Sequence, residues 1–409
     1  MDFNTAELPN GLRLAHSYDP QSAMVAMDVM YNVGGRDDEP GHYGMAHLFE
    51  HLMFGGSANI PDFDAEVEAA GGSDNAWTSD DFTNYWTQVP AQNVETLFHL
   101  ESDRMLALSF SPRSLEVQRQ VVVEEFKQMC LNRPYGDLSH RLRSMLYTVH
   151  PYRVPVIGET PAQIEAVDMD YVRQFFYSHY APNNAVVAVA GNVTFGRVME
   201  LARKWFSPIP HRDIASRASI TEPEPTEPLR EVVVNDNVPL TLITMAFPMG
   251  GYRDPLYVGA DLLTDVLSAG RSSRFFRRLL EGTELFNDID ASIAGLEECG
   301  YLLVNASPRQ GVETTRAEAA IRAELDRAMT EAPTDTELRR VITRYESQQI
   351  FNSLTSLDKA RHMAEAMIHG EVPSERLQAY RAATAADIHR AAVTLLAPHR
   401  ARTLIYGPA

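Results

Sequence analysis

Two stretches of this chain, a little over 200 residues apart, follow the same plan. The first runs Met30-Tyr31-Asn32-Val33-Gly34-Gly35-Arg36-Asp37, reaches Pro40 and enters an apolar helical run. The second runs Ala246-Phe247-Pro248-Met249-Gly250-Gly251-Tyr252-Arg253-Asp254-Pro255 and then does the same. In each, a β-like segment meets a Gly-Gly turn, followed by Arg, Asp and Pro and then a helix. An offset this long is far from the roughly 20–50-residue period of a solenoid, so the repetition constrains the chain to a duplicated domain. Between the copies, Ile220-Thr221-Glu222-Pro223-Glu224-Pro225-Thr226-Glu227-Pro228 sets three prolines among acidic residues and threonines. Such a stretch favours an extended, exposed linker. The expected layout is a first domain over 1–215, a linker over 216–229 and a second domain over 230–409.

Local patterns mix both kinds of element in each half. Strand signals lie at Met24–Met30 and Ala185–Ala190 in the first half and at Val232–Val234 and Thr241–Met245 in the second. Helical spacing fills Asn93–Leu108, Ser114–Met129, Tyr171–Tyr177, Phe195–Trp205, Val258–Leu267, Val312–Met329 and Thr336–Asn352. Ser111 and Pro112 are suited to open the second of these helices. The fold class expected is α+β, in two related domains.

The halves differ in their chemistry. After the first Gly-Gly turn comes His47-Leu48-Phe49-Glu50-His51. This His-x-x-Glu-His is the inverted form of a zinc-protease helix motif. Residues four apart on a helix lie one above the other, so His47 and His51 can offer two imidazoles to one ion. Glu50 projects from roughly the same side and can reach a bound water without ligating. Met45, Leu48, Phe49, Leu52, Met53 and Phe54 surround these polar side chains, and burying unpaired ionisable groups is costly. A metal ion removes that cost; a helix with two solvated histidines fits these neighbours poorly. The third protein ligand must come from elsewhere. In the second half the corresponding positions hold Leu262 or Leu263, Asp265 and Val266, so that copy has lost the motif.

Other classes can be set aside. A formal charge of −19 makes a poor nucleic-acid binder, because phosphate contacts need Lys and Arg. Cys130 and Cys299 form no Cys-x-x-Cys pair, which excludes a cysteine zinc site and makes a disulfide framework an unsuitable reading. No stretch has the length of a transmembrane helix. The start, Met1-Asp2-Phe3-Asn4, lacks a basic, then apolar, leader. The expected compartment is cytoplasmic, or periplasmic if a signal peptide has been removed.

A later helix carries Gln118-Arg119-Gln120-Val121-Val122-Val123-Glu124-Glu125. His-x-x-Glu-His followed some seventy residues on by Val-Val-x-Glu-Glu resembles the M16 family of zinc peptidases, and the length is similar to its bacterial M16B members. Asp74-Asn75-Ala76-Trp77-Thr78-Ser79, Leu100-Glu101-Ser102-Asp103-Arg104-Met105 and His150-Pro151-Tyr152 with Val156-Ile157-Gly158 are similar to further family segments. The resemblance implies a clamshell half built of two related domains, each a mostly antiparallel sheet packed with helices. It implies a Zn2+ ion held by His47, His51 and Glu125, with Glu124 the alternative third ligand, since neighbours on a helix differ by about 100° and should not both face the ion. It implies Glu50 as general base. It makes Asn75, Ala76, Trp77 and Thr78 part of an edge strand that pairs with the substrate backbone.

Two departures from the family pattern stand out. Gln118 occupies a position, seven before the ligand, where members often have Glu. The family's second domain also supplies an Arg and a Tyr, and the alignment puts Leu280 and Asn287 there, with Arg277 or Arg278 as conceivable substitutes. The expected function is therefore a zinc-dependent endopeptidase acting on peptides or unfolded polypeptides in a closed chamber. Its expected partner is a paralogous M16B subunit carrying the Arg/Tyr pair, in a heterodimer, with a homodimer as the alternative. The competing reading is a non-catalytic M16-like assembly or peptide-binding subunit.

Overall fold

The computed structural model describes residues 3–214 and 216–408; Met1, Ala215 and Ala409, which bound the expected domains, lie outside them. Six strands form a sheet in the first half: β1 (Asn4–Glu7), β2 (Arg13–Tyr18), β3 (Met24–Tyr31), β4 (Ser73–Thr78), β5 (Thr83–Pro90) and β6 (Ala185–Gly191). Their spatial order is β1-β2-β6-β3-β5-β4, with β2 and β6 parallel and the other neighbours antiparallel. Five strands form the second sheet: β7 (Leu229–Val234), β8 (Leu242–Gly250), β9 (Phe286–Ala294), β10 (Cys299–Pro308) and β11 (Arg402–Gly407). Their order is β7-β11-β8-β10-β9, and here β7 and β11 are the parallel pair. Leaving out β1, the two sheets trace the same path with the same strand directions. The duplication first visible in two Gly-Gly turns extends through whole sheets.

Burial follows from composition. β6 is Ala-Val-Val-Ala-Val-Ala-Gly and is buried throughout, as a central strand covered on both faces must be. Its Ala188 and Ala190, with Ala15, Ala26 and Met30, lie under the helix Ser356–Ile368, whose Ala360, Met363 and Ala364 meet them at i, i+3 and i+4 spacing. A capping box of Thr355 and Asp358 starts that helix. The second core gathers Phe247, Leu262, Leu263, Val266, Phe275 and Ile321. The positions that would continue the metal motif there are thus packing residues, and Asp265 pairs with Arg344 at 3.3 Å.

Compact packing divides the chain differently from the linker. One unit comprises 1–127, 154–218 and 348–376; the other comprises 128–153, 219–347 and 377–409. We keep 1–215, 216–229 and 230–409 as a proposal for the duplicated modules. The linker itself is pinned: the Glu222 carboxylate accepts from the backbone N–H groups of Thr148, Val149 and His150 at 2.6–3.1 Å.

Asp28, in the middle of β3, is a fully buried carboxyl on the sheet face that carries Ala26 and Met30. Asn84 Nδ2 donates to its Oδ1 at 2.5 Å, while Oδ2 has no hydrogen-bond partner among the described residues. Burial pushes this carboxyl up to about 8, against the pull of the Asn84 hydrogen bond and the Arg361 charge. A raised folded-state value means full stability below the ordinary aspartate range and a loss as pH climbs toward 8. Asp28→Asn removes that titration. The variant is expected to gain on the wild type between pH 5 and 8, by up to about 1.4 kcal/mol per pH unit. Urea denaturation at both pH values checks this, and a difference that does not change with pH refutes it.

Candidate metal centre

The motif helix, Met45–Leu52, is fixed at its start by a carboxylate. Asp38 is buried, and its Oδ2 and Oδ1 accept from the N–H groups of Gly44 (2.7 Å) and Ala46 (2.9 Å), two of the helix's orphan donors. Gly44 sits at φ +91°, and a side chain there would meet Ile157 and Gly158 backbone at about 3.1 Å. The Val156-Ile157-Gly158 segment is therefore a buttress for the helix N-terminus. The buried side of the helix is apolar. Phe49 packs on Tyr180, Phe175 and Phe176 with ring centroids 4.3, 5.5 and 6.0 Å away. This packing turns His47, Glu50 and His51 to the other side.

A second helix, Pro112–Phe126, brings in the carboxylate. Ser111 caps it, accepting from Ser114 N–H, and Leu115, Val122, Val123 and Phe126 bury one face. Arg119 holds it to the carbonyls of Glu165 and Val167 at 2.9 Å. Glu125 Oε2 lies 3.8 Å from His47 Nε2 and 3.5 Å from His51 Nε2. Glu124 turns outward and accepts from Lys127 at 2.6 Å. Just past Glu125 the helix widens into a π-type turn over Lys127–Leu131, a distortion often found beside functional groups.

His47, His51 and Glu125 each offer a ligand atom within 4.8 Å of the others. The imidazole planes stand at 89° with centroids 5.0 Å apart. Burial pushes the His47 imidazole down to about 4, outweighing the attraction of Glu125, so the ring is neutral at ordinary pH. The hydrogen bond from His51 holds the Glu125 carboxyl below its usual value, ahead of the opposing effect of burial. Neutral imidazoles and an ionised carboxylate are the donor forms that a zinc ion takes. His47 Nδ1 is buried with no hydrogen-bond partner among the described residues. The donor set fits zinc.

Glu50 is oriented separately. Thr78 Oγ1, on β4, donates to Glu50 Oε2 at 2.5 Å. Burial raises the Glu50 carboxyl, and the Thr78 hydrogen bond works against that rise. β4 is an edge strand, paired with β5. On it Asn75 is exposed while Ala76, Trp77 and Thr78 are half-buried. Asn75 Oδ1 accepts from the Ala76 N–H at 2.7 Å, and Trp77 packs against the cluster of Met30, Phe82 and Met363. Thr78 was legible as part of the edge strand; its contact with Glu50 was not, since nothing in a linear spacing says which hydroxyl meets a carboxylate 28 residues away. Asp38 carried no signal beyond its acidity.

The other flagged segments serve as scaffold. Arg104, buried, forks onto Glu101 (2.6 and 2.7 Å), and its guanidinium lies over Phe63 and Tyr85. Asp103 holds Ser57 and Asn59, in the loop after the motif helix. In the second unit, His150 contacts Glu298 at 2.9 Å. Leu280 packs against the second core, and Asn287 donates to the Pro308 carbonyl at 3.2 Å. Arg278 is committed to Glu324 and Glu331.

Two models of one family match the sequence: "Insulinase (Peptidase family M16)" over residues 13–158 and "Peptidase M16 inactive domain" over residues 166–345. Zinc protease PqqE of Helicobacter pylori is 27% identical over 373 residues, covering 89% of this chain and 83% of its own. An uncharacterized zinc protease of Bacillus subtilis, YmxG, is 27% identical over 299 residues, covering 72% and 71%. The crystal structure of a protease from Helicobacter pylori superposes with a TM-score of 0.93 at 25% identity, covering 100% of this chain and 99% of that one. Pitrilysin superposes with a TM-score of 0.82 at 18% identity, and the match spans 45% of its length. No helix among the described residues is long and apolar enough to cross a membrane.

Proposed function

The chain belongs to the M16 peptidase family, and from that premise we propose that it is a zinc-dependent endopeptidase whose metal is held by His47, His51 and Glu125. The observation that carries this reading is the convergence of two imidazoles and one carboxylate within 4.8 Å, beside a fourth ionisable group that is not part of the cluster. When bound, zinc supplies Lewis acidity toward a scissile carbonyl and toward water.

The protein's own groups then do the following. Glu50, whose Oε2 accepts from Thr78, takes a proton from the attacking water onto its other carboxylate oxygen. The same oxygen delivers it to the nitrogen of the leaving amine. The Thr78 hydrogen bond occupies Oε2 and so leaves Oε1 for the water. Asn75–Thr78 receive an extended peptide along the edge of the sheet, where main-chain pairing gives affinity without demanding a particular sequence. Asn75 releases the Ala76 N–H as the peptide arrives.

The oxyanion needs donors, and removing one typically costs about a hundred- to thousandfold in rate. Leu280 has no donor and packs against the second core, and Asn287 turns its amide to the Pro308 carbonyl. We assign that task to a paralogous subunit carrying Arg and Tyr, in a heterodimer that closes a chamber. The test is cleavage of an unstructured fluorogenic peptide by the zinc-loaded chain, alone and with the paralogue, with and without chelator. The reading expects slow cleavage alone, a rise of about a hundredfold or more with the paralogue, and loss of both rates on chelation. Stoichiometric zinc without cleavage in either setting would instead favour a peptide-binding subunit.

A further inference from the structure

The second unit contains a pocket of about 480 Å³ whose lining includes Arg274, Arg277, Arg278 and Arg340 together with Glu331 and Glu337. In a chain of net charge −19, this is a local reversal of sign. The carboxylates are already engaged. Glu337 is forked by Arg274 at 2.9 and 3.1 Å and also accepts from Thr334 N–H at 2.8 Å. Glu331 and Glu324 both take Arg278. Arg340 donates instead to the carbonyls of Ala269 and Asp265 and forms no ion pair among the described residues, although the Asp265 and Glu337 charges lie near it. The Arg277 side chain is exposed and has no hydrogen bond or ion pair among the described residues. Burial lowers the proton affinity of Arg340; the Asp265 and Glu337 charges work against that, and the nearby charges of Arg277 and Arg344 lower it further. Two guanidinium groups therefore line one space, neither of them in an ion pair among the described residues. Thr334 and Thr336 bring the N-terminal end of the helix Asp335–Phe351 to the same pocket, adding its partial positive charge.

We propose that this pocket binds a small, doubly charged oxyanion of the phosphate type, gripped by Arg277 and Arg340. Two forks without an ion pair match two charges, and a tetrahedral oxyanion presents enough oxygens to engage both, whereas a single carboxylate leaves one fork unmatched. The site is independent of the peptidase reading, because its residues belong to the unit without the metal motif.

The experiment is thermal melting of the full chain titrated with inorganic phosphate, sulfate or succinate, at ionic strength held constant with NaCl. It is repeated on Arg277→Gln, Arg277→Lys and a Glu125→Ala control that separates this pocket from the metal centre. The proposal expects a saturable rise in Tm with phosphate and with sulfate, unchanged in the Glu125→Ala background. It expects at least tenfold weaker binding in Arg277→Gln, intermediate binding in Arg277→Lys, and an anion-free Tm for Arg277→Gln no lower than that of the wild type. Absence of a saturable shift beyond NaCl, or binding that Arg277→Gln retains, overturns it. Stabilisation by succinate alone overturns the phosphate assignment.

Discussion

Glu50→Gln lowers kcat on the order of a thousandfold, within the roughly 10²–10⁴ that a positioned general base contributes, while the protein keeps its zinc. The amide has the size and shape of the carboxylate, and its oxygen can still accept from Thr78, so orientation is preserved and only proton transfer is lost. The three proposed ligands are untouched, because Glu50 is not among the groups that converge. Metal content by elemental analysis and kcat with the partner subunit present are the two measurements. Full zinc with near-normal turnover removes Glu50 from the role of base. Loss of zinc along with activity instead makes Glu50 part of the metal's own ligand set.

Glu125→Ala and Glu124→Ala are adjacent substitutions with opposite expected outcomes. Glu125 completes the imidazole pair, so its removal weakens zinc by more than the roughly 10–100-fold typical of losing an outer-sphere partner. Glu124 has only an exposed ion pair with Lys127 to lose, and such pairs are worth about 0–1 kcal/mol. Zinc competition against a chromophoric chelator separates the two variants. Equal weakening by both refutes the assignment of Glu125. The Glu125→Ala protein should also lose the rise in Tm that zinc gives the wild type, since binding to the folded state alone stabilises by mass action.

The site was legible where chemistry repeats at helical spacing. His47 and His51 are four apart, and the apolar residues between and around them leave one orientation for the helix. The choice between Glu124 and Glu125 rested on family alignment; in the structure the packing of Val122, Val123 and Phe126 sets the helix's rotation, so that Glu125 lies beside the imidazoles and Glu124 beside Lys127. Its end was read at Met129 and lies at Phe126, because a π-type turn keeps helix-like composition while changing the hydrogen bonding. The edge strand β4 was legible only through the family resemblance, because Ser73–Thr78 is polar and half-exposed and leaves no alternating pattern. The helix Ser356–Ile368 was invisible as a member of the first unit: its alanines say that it packs closely on something, and periodicity cannot name the sheet. Asp28, a carboxyl inside an apolar strand, gave no hint that it would be buried without a charge-neutralising contact.

That same helix has a consequence for biosynthesis. The sheet bearing the proposed catalytic edge lacks part of its cover until residues 356–368 have left the ribosome, long after its last strand, β6, has been made. A nascent chain stopped at the linker would present Ala26, Met30, Ala188 and their neighbours to water and would tend to aggregate. The order of synthesis thus acts as a timer, holding back completion of the first unit until well after its strands have emerged from the tunnel.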